Sequence, residues 1–516
     1  MLRRRSATPD GVLTGPYRVA AGAVLGVVLL AILGAVTGPQ WDPVPLTDPL
    51  TVETTDTAIG GAPALQEYPV RTSVVTVQLD GTTVQAQVSE PVGAPWPRRG
   101  VVFLHGAGTG TYEEGFYEQA ARLAQAGVVT IVPNKRMDTY DLRHRDYVAM
   151  AADYARSVDV LRDWPGVDPD DIGLYAESEG AWIAPVMAAA DQDLSFVVLV
   201  SAPVVPPREQ AAFAADNYLR NTRVPHGVFR AIPRAVGMSL PGGGVAYADF
   251  DVTPYQRQMT QPVLMVYGTG DASMPIVQAA ELVIRDTAIA GNDDVTVRYY
   301  EGATHGIKVA GEIVPAFLHD MTSWVVGLPA TAGAAPRIAG DQPQQAFLAA
   351  PVPEPRWMRD GDLVAGTVAV ACALVALAGV LMVGARGVEL VRVRPGSRAP
   401  RNRFARGVPE SLAVVGIGAV GVIVGLVWYI IAIARLALDY AHNDWVVKGG
   451  WIAVRLVGIV AVVAVVVLLR ASRRAGAEGV PIAPGIVRKV AYGLVVVAAS
   501  VLLVVAAYWG VYQLGI

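Results

Sequence analysis

The chain contains 516 residues, of which 53% are hydrophobic and 17% are charged, and its formal net charge is −4. This low charged fraction, with a mean hydropathy of +0.39, excludes a disordered chain and indicates membrane segments. The small acidic balance argues against nucleic-acid binding, because phosphate contacts need clustered basic residues. Cys372 is the single cysteine, which excludes intramolecular disulfides and cysteine-based zinc sites.

An apolar run near the N-terminus predicts a membrane helix at residues 19–38, preceded by a cytoplasmic segment at residues 1–18. Arg3, Arg4 and Arg5 lie in that segment, and positive residues favour the cytoplasmic side. A cleaved signal peptide is the alternative. However, the run is long for a signal, and no A-x-A-like cleavage site follows Val36. We therefore expect a retained helix.

Residues 39–65 are rich in Thr, Pro and Asp and are predicted to be a linker. From residue 66 to residue 328 the pattern is that of a globular domain. Strands are predicted at residues 73–79, 83–88, 100–104, 128–132, 172–176, 196–200, 263–267 and 295–299. Helices are predicted at residues 117–126 and 147–164, after Ser178 and after Gly311. Such alternation predicts an α/β fold, with a mainly parallel sheet and helices on both faces.

Residues 203–261 interrupt this alternation. The segment carries aromatic residues among prolines, together with three consecutive glycines at 242–244. Long connections of this kind are usually functional, so we interpret the segment as a lid insertion. An ordinary surface connection is the alternative.

The strongest chemical signal is Ala176-Glu177-Ser178-Glu179-Gly180, between a predicted strand and a predicted helix. A turn of the form small-x-Ser-x-small forces a tight bend that projects the serine hydroxyl from the sheet. The helix N-terminus behind the serine directs N–H groups at a developing oxyanion. Taken alone, the motif is better explained by a serine that caps a helix.

Other predicted strand ends supply the groups that a serine nucleophile needs. One strand ends in the loop His105-Gly106-Ala107-Gly108, a second ends near Asp271, and a third leads to His305. The chain order Ser, Asp, His, each just past a strand, is that of the α/β-hydrolases. Asp293 and Asp294 are competing carboxylates, but they precede a strand instead of ending one.

These positions define the candidate catalytic set. We expect Ser178 to be the nucleophile, His305 the general base and Asp271 the carboxylate that orients it. The backbone N–H groups of Ala107 and Glu179 would form the oxyanion hole. Within the oxyanion loop, His105, Gly106 and Gly108 would play a supporting role. These groups suffice for acyl transfer, so neither a cofactor nor a metal is expected.

Residues 66–328 resemble the α/β-hydrolase superfamily, and more narrowly bacterial serine esterases with a Gly-x-Ser-Glu-Gly-Gly elbow. Those esterases are related to dienelactone-hydrolase-like and serine-aminopeptidase-like proteins. Ser178-Glu179-Gly180 carries the elbow, and Asn134-Lys135-Arg136 matches an Asp-Lys-Arg-Gly segment of these proteins in part. Ala176 and Ala181 replace two elbow glycines, and one added methyl group at each should leave the turn intact. The resemblance implies a serine hydrolase that acts on esters.

The C-terminal part predicts a helical membrane domain. Residues 329–362 are rich in Pro and Ala and are predicted to be a second linker. Apolar runs then predict membrane helices at residues 363–384, 411–434, 451–469 and 490–513, with basic loops at residues 385–410 and 470–489. Because positive loops stay in the cytoplasm, residues 40–362 and the C-terminus are expected outside.

The net charge is a sum of two unlike parts. Residues 40–362 hold 39 acidic and 22 basic residues, a balance of −17, whereas the remaining residues hold 6 and 19, a balance of +13. The sequence therefore predicts a multi-pass plasma-membrane protein with an acidic external domain. The four C-terminal membrane helices contain almost no ionisable residue at mid-depth, which disfavours a transporter. An anchor, a module that binds a membrane protein partner, or a platform for lipid access remains open.

The expected function is hydrolysis of acyl esters, with envelope lipids or glycolipids as candidate substrates. An acyltransferase would use the same triad with a sugar or lipid hydroxyl as acceptor. A serine peptidase and a non-catalytic envelope assembly factor are two further hypotheses. The sequence does not separate these four functions.

Overall fold

The computed structural model describes residues 10–392, 403–438 and 441–514. The chain divides into two compact units. We call Asp42–Asn217 with Val245–Val352 the sheet unit, and Met1–Trp41 with Tyr218–Gly244 and Pro353–Ile516 the helical unit. The predictions for the cytoplasmic arginines 3, 4, 5, 394, 398 and 401 lie outside the described residues.

The sheet unit is built on a mixed sheet. Its strands are β1 (Val70–Gln78), β2 (Thr83–Pro91), β3 (Arg98–Leu104), β4 (Val129–Pro133), β5 (Val167–Glu177), β6 (Val197–Val200), β7 (Val263–Gly268) and β8 (Val295–Tyr300), then the short hairpin β9 (Lys308–Val309) and β10 (Glu312–Ile313), and β11 (Ile338–Gly340). The main sheet has the order β1-β2-β4-β3-β5-β6-β7-β8-β11. β2 pairs antiparallel with β1 and with β4. Every other neighbouring pair is parallel, so the predicted mainly parallel sheet is confirmed.

Helices cover both faces of this sheet, as predicted. After α1 (Asp10–Thr37) of the helical unit, the helices up to residue 327 are α2 (Tyr117–Gln125), α3 (Tyr147–Arg162), α4 (Gly180–Ala190), α5 (Pro207–Asn221), α6 (Ala231–Val236), α7 (Thr253–Gln256), α8 (Ile276–Ile289) and α9 (Pro315–Gly327). Residues of α3, α4 and α8 form one apolar core with the sheet, and residues of α2 and α9 form the other. Successive residues of β3 alternate between the two, as the two-residue period of a strand requires. Val102 and Leu104 enter the first core, and Val101 and Phe103 enter the second.

Parts of both predicted linkers pair with the sheet unit, whereas residues 39–41 and 353–362 belong to the helical unit. Within residues 329–362, β11 extends the sheet beside β8. Within residues 39–65, the Glu53 N–H donates to Ile338 O at 2.8 Å, and Pro45 forms a β-bridge with Phe347. Proline and threonine favour extended backbone, and such backbone can pair at a sheet edge as well as span a gap.

The predicted lid at residues 203–261 is divided between the two units. It contains α5, a short 3₁₀ turn at His226–Val228, α6 and α7. Tyr218–Gly244 belongs to the helical unit, and the remainder belongs to the sheet unit. An insertion is therefore present where the sequence predicts one, and its role as a lid stays a prediction.

In the helical unit, α1 is joined by α10 (Gly361–Arg392), α11 (Val408–Leu438), α12 (Trp451–Ala477) and α13 (Ile486–Tyr508). Within the described residues, five helical segments are long and apolar enough to cross a membrane, namely Pro16–Thr37, Gly361–Val391, Val408–Ala437, Trp445–Ala477 and Ile486–Tyr508. α1 packs on α12 and α13, α10 packs on α13, and α11 packs on both α12 and α13.

Several helices continue beyond the apolar runs that predict the membrane segments. α10 extends to Arg392 instead of ending at residue 384. The loop predicted at residues 470–489 is helical up to Ala477 and again from Ile486. An arginine has a strong helix propensity, so a helix need not end where its apolar residues end.

Candidate active site

Ser178 lies in a sharp turn between β5 and α4. Its φ angle is 55°, a left-handed conformation that costs a non-glycine residue about 1–2 kcal/mol. The turn is held by the Ser178 N–H, which donates to Val200 O at 3.0 Å. A β-carbon on Gly180 would lie 2.6 Å from Leu104 O, so only glycine lets α4 approach β3 this closely. The turn tolerates Ala176 and Ala181, which are both buried.

The loop after β3 lies directly beside the nucleophile. A β-carbon built on Gly106 would be 3.1 Å from Ser178 Cβ and 3.7 Å from Ser178 Oγ. Among the hydrogen bonds of the described residues, none uses the backbone N–H of Ala107 or of Glu179. Both groups are thus free to donate to an oxyanion at this place.

The side chain of His105 holds this loop in place through hydrogen bonds. Its side chain is fully buried, with Nδ1 3.0 Å from Thr109 Oγ1 and Nε2 2.9 Å from Pro133 O. Burial, aided by the charge of Lys135, lowers the pKa of His105 to about 4. A neutral ring with both nitrogens in hydrogen bonds fixes the loop and does not face the serine hydroxyl.

The Glu179 side chain forms a buried ionic network that the sequence did not reveal. Its carboxylate pairs with Lys135 Nζ at 3.1 Å and with the Arg145 guanidinium, and it accepts a hydrogen bond from Tyr140 at 2.8 Å. Lys135 also donates to Gly106 O at 2.6 Å. Burial lowers the pKa of Lys135, although the negative charge of Glu179 acts to raise it. The network therefore connects the residue after the nucleophile to the oxyanion loop.

Asp271 and His305 meet at the ends of β7 and β8. His305 Nδ1 lies 2.9 Å from Asp271 Oδ2. The other oxygen of Asp271 accepts hydrogen bonds from Ser273 Oγ at 2.7 Å and from Ser273 N at 3.0 Å. Burial alone would raise the pKa of Asp271, but its contacts with His305 and Ser273 outweigh burial and lower it. The carboxylate is therefore ionised when it faces the imidazole.

The loop that carries His305 has two further contacts near the nucleophile. The Gly306 N–H donates to the buried Ser201 Oγ at 3.2 Å. Glu177 Oε1 lies 3.1 Å from the position of a β-carbon built on Gly306. Burial and the positive charge of Lys308 would lower the pKa of His305. The negative charges of Asp271 and Glu177 outweigh them, so the pKa is raised. Ser201 and Glu177 are functional candidates that motif reasoning did not single out.

The structure brings the predicted residues to one edge of the sheet, although no described hydrogen bond joins the serine to the histidine. Ser178, Ala107, Asp271 and His305 follow the carboxyl ends of β5, β3, β7 and β8. Among the described hydrogen bonds, none joins Ser178 Oγ to His305 Nε2. Catalytic hydrogen bonds often tighten only when substrate binds, so the geometry is compatible with proton transfer. Asp293 and Asp294 precede β8, away from the ends that carry these groups.

A cavity of about 630 Å³ opens beside the oxyanion loop. Its lining includes Gln85, Ala107, Thr109, Asn134 and Asp138. The cationic groups at its wall are neutralised locally, because Arg136 pairs with Asp138 at 2.8 Å and Lys135 pairs with Glu179.

Comparison with known families supports the same fold. Residues 153–322 match the sequence profile of the family described as "BAAT / Acyl-CoA thioester hydrolase C terminal". That span runs from α3 through β5 and its serine turn to α9. This match covers less than half of the chain, and the sheet unit has an α/β-hydrolase fold. No curated protein matches the whole sequence significantly.

Solved structures similar to the hydrolase domain cover about half of the chain. An esterase from the archaeon Pyrobaculum calidifontis is 18% identical, with a TM-score of 0.38, over 51% of this chain and 86% of its own. An esterase from Butyrivibrio proteoclasticus is 16% identical, with a TM-score of 0.35, over 49% of this chain and 96% of its own.

Proposed function

We propose that this protein is a membrane-anchored serine hydrolase that cleaves carboxylic esters on the outer side of the plasma membrane. The observation that carries the proposal is the Asp271–His305 hydrogen bond of 2.9 Å at the same sheet edge as the strained Ser178. A strained serine beside free N–H donors, with a carboxylate–imidazole pair nearby, fits nucleophilic acyl transfer. The match to an acyl-thioester hydrolase family supports acyl chemistry.

The reaction follows from these groups. Ser178 Oγ attacks the ester carbonyl while His305 Nε2 takes the hydroxyl proton, and Asp271 stabilises the imidazolium that results. The tetrahedral oxyanion accepts hydrogen bonds from the N–H groups of Ala107 and Glu179. His305 returns its proton to the leaving alcohol, which gives the acyl-enzyme. Water then attacks the acyl-enzyme in the same manner and releases the acid.

The membrane location is the second part of the proposal. Five described helical segments are long and apolar enough to span a bilayer. The basic residues flanking the predicted runs support an outside location for the acidic domain. An anchor of this kind would hold the hydrolase near envelope lipids or glycolipids, which are the substrates that we propose.

A serine-directed probe tests the catalytic proposal. Membranes with the full chain are treated with a fluorophosphonate and with a short p-nitrophenyl ester. Ser178→Ala is expected to abolish labelling and hydrolysis. Ser157→Ala, which changes a buried serine of α3, should retain both. Equal labelling of the wild type and Ser178→Ala would contradict the proposal and favour a non-catalytic assembly role.

Product analysis separates ester hydrolysis from acyl transfer and from peptide cleavage. An added sugar or lipid alcohol that diverts most of the acyl group from water would identify an acyltransferase. Cleavage of amides at rates close to those of matched esters would identify a peptidase. Envelope lipids from cells with wild-type protein and from cells with Ser178→Ala are then compared, and an ester that accumulates only in the variant is the substrate.

A further inference from the structure

The segment Tyr218–Gly244, which we call the arm, is the part of the predicted lid that belongs to the helical unit. The arm contains Arg220, Arg223, Arg230 and Arg234 and has neither Asp nor Glu. This charge is the opposite of that of residues 40–362 as a whole, whose balance is −17. A basic segment inside an acidic region calls for a specific explanation.

The arm packs against one end of the helix bundle. Tyr218 Oη donates to Ala441 O at 3.0 Å, just beyond α11. Arg234 Nη2 donates to Gly34 O at 2.9 Å, in the last turns of α1. The Ser239 N–H donates to Arg359 O at 2.8 Å, just before α10. By the charge pattern of the loops, this end of the bundle is the extracytoplasmic one.

Exposed tryptophans mark the same end of the bundle. Trp357 precedes α10 and is 64% exposed, and Trp445 precedes α12 and is 87% exposed. Trp357 is tied to the bundle through its carbonyl oxygen, which accepts a hydrogen bond from Tyr508 Oη at 3.1 Å. Tryptophan is enriched where a membrane protein meets the lipid headgroups. The arm therefore lies at headgroup level.

Arg234 is buried, and no anionic partner for it lies among the described residues. The residue is 0% exposed, and its Nε finds no hydrogen-bond partner within the part of the chain that the structure describes. Its other nitrogens donate to Gly34 O and Arg230 O, and the guanidinium lies 5.2 Å from the centre of the Tyr508 ring. Carbonyl and ring dipoles compensate a buried cation only in part.

Arg230 adds a second uncompensated cation one helical turn away. It is half-buried, and burial lowers its pKa. In the described part of the chain, no carboxylate pairs with Arg230 or with Arg234. Two acids at the start of α10 accept backbone hydrogen bonds: Asp362 accepts from Gly242 N, and Asp360 accepts from Asp362 N and Leu363 N. Like charges four residues apart repel, and an anion would relieve that repulsion.

We infer that the arm is a binding site for the phosphate group of an anionic phospholipid in the outer leaflet. Arg230 contacts the phosphate, and Arg234 supplies positive charge from behind it. A guanidinium forms two parallel hydrogen bonds with phosphate, and lipid headgroups surround this end of the bundle at high local concentration. This inference rests on the membrane location given in the proposed function and not on the esterase activity.

Lipid retention by the purified full chain tests the inference. The protein is equilibrated with vesicles of phosphatidylcholine and phosphatidylglycerol, and bound lipids are counted by native mass spectrometry. The wild type should retain phosphatidylglycerol selectively. Arg230→Gln should weaken that retention about fivefold, which is the worth of one arginine at a lipid surface. Arg230→Lys, which keeps the charge but not the paired donors, should fall between the two.

Arg359→Gln is the matched control, because Arg359 lies at the same end of the bundle, 73% exposed and 3.9 Å from Glu354. It should retain phosphatidylglycerol like the wild type. An equal loss in both glutamine variants would overturn the site in favour of diffuse attraction. Displacement of the lipid by millimolar inorganic phosphate would overturn the lipid assignment in favour of a free anion. In phosphatidylcholine alone, Arg230→Gln should leave the thermal unfolding midpoint unchanged. A lowered midpoint there would show that Arg230 stabilises the fold, and this would overturn its role in lipid binding.

Discussion

Lys135 joins Glu179 to the oxyanion loop: its Nζ lies 3.1 Å from Glu179 Oε2 and 2.6 Å from Gly106 O. Both side chains are almost completely buried, with 2% of Lys135 and 1% of Glu179 exposed. In the proposed mechanism, the same residue, Glu179, donates its backbone N–H to the oxyanion. A buried ion pair thus fixes the two halves of the candidate oxyanion hole relative to each other.

Glu179→Gln should destabilise the hydrolase domain strongly. The change leaves the Lys135 and Arg145 charges buried without a carboxylate, which costs about 3–5 kcal/mol. We expect a lower thermal unfolding midpoint and slower probe labelling of Ser178. Glu118→Gln, in the first turn of α2, is the control and should change neither. An unchanged midpoint for Glu179→Gln would show that the ion pair does not stabilise the domain.

Ser178→Gly should be more stable than Ser178→Ala. At a φ of 55° a β-carbon is strained, and glycine removes that strain at a smaller cost in chain entropy. The expected difference is about 1 kcal/mol. Thermal unfolding of the two variants measures it, and neither variant should hydrolyse esters. Equal midpoints would mean that the turn relaxes and stores no strain.

Asp271→Asn should reduce kcat by about 10⁴, because an amide neither stabilises the imidazolium nor selects the required tautomer of His305. Steady-state hydrolysis of a short ester measures this loss. Asp293→Asn removes a competing carboxylate before β8 and should leave kcat unchanged. If Asp293→Asn gave the large loss instead, the pairing of Asp271 with His305 would not be the catalytic one.

The dependence of kcat/KM on pH should report on Glu177. Catalysis needs neutral His305, so the rate should fall as the pH drops through the pKa of this group. That pKa is raised by Asp271 and Glu177 and opposed by burial and Lys308, so the midpoint should lie above the ordinary value for histidine. Glu177→Gln removes one negative charge and should lower the midpoint. Glu301→Gln removes an exposed charge nearby and should not.

Local sequence patterns were sufficient to predict which helices and strands form, but not where each of them ends. Strand runs such as 263–267 and the helix at 117–126 were recognisable because turn residues bound them and because apolar residues repeat with the period of the element. Part of the loop predicted at residues 470–489 is helical, because hydropathy does not detect a helix of polar residues. Arginines continue a helix as readily as leucines do, so hydropathy marks the apolar segment and not the helix.

The sequence by itself determined the α/β alternation, the apolar helices and the order of Ser178, Asp271 and His305, since each depends on neighbours within a few residues. Only the tertiary structure decided which distant groups meet. Lys135 and Glu179 are 44 residues apart, Gly306 and Ser201 are 105 apart, and Arg234 and Gly34 are 200 apart. Such pairs form where folding buries two charged or polar groups that must satisfy each other. That requirement belongs to the packed chain, and no local pattern carries it.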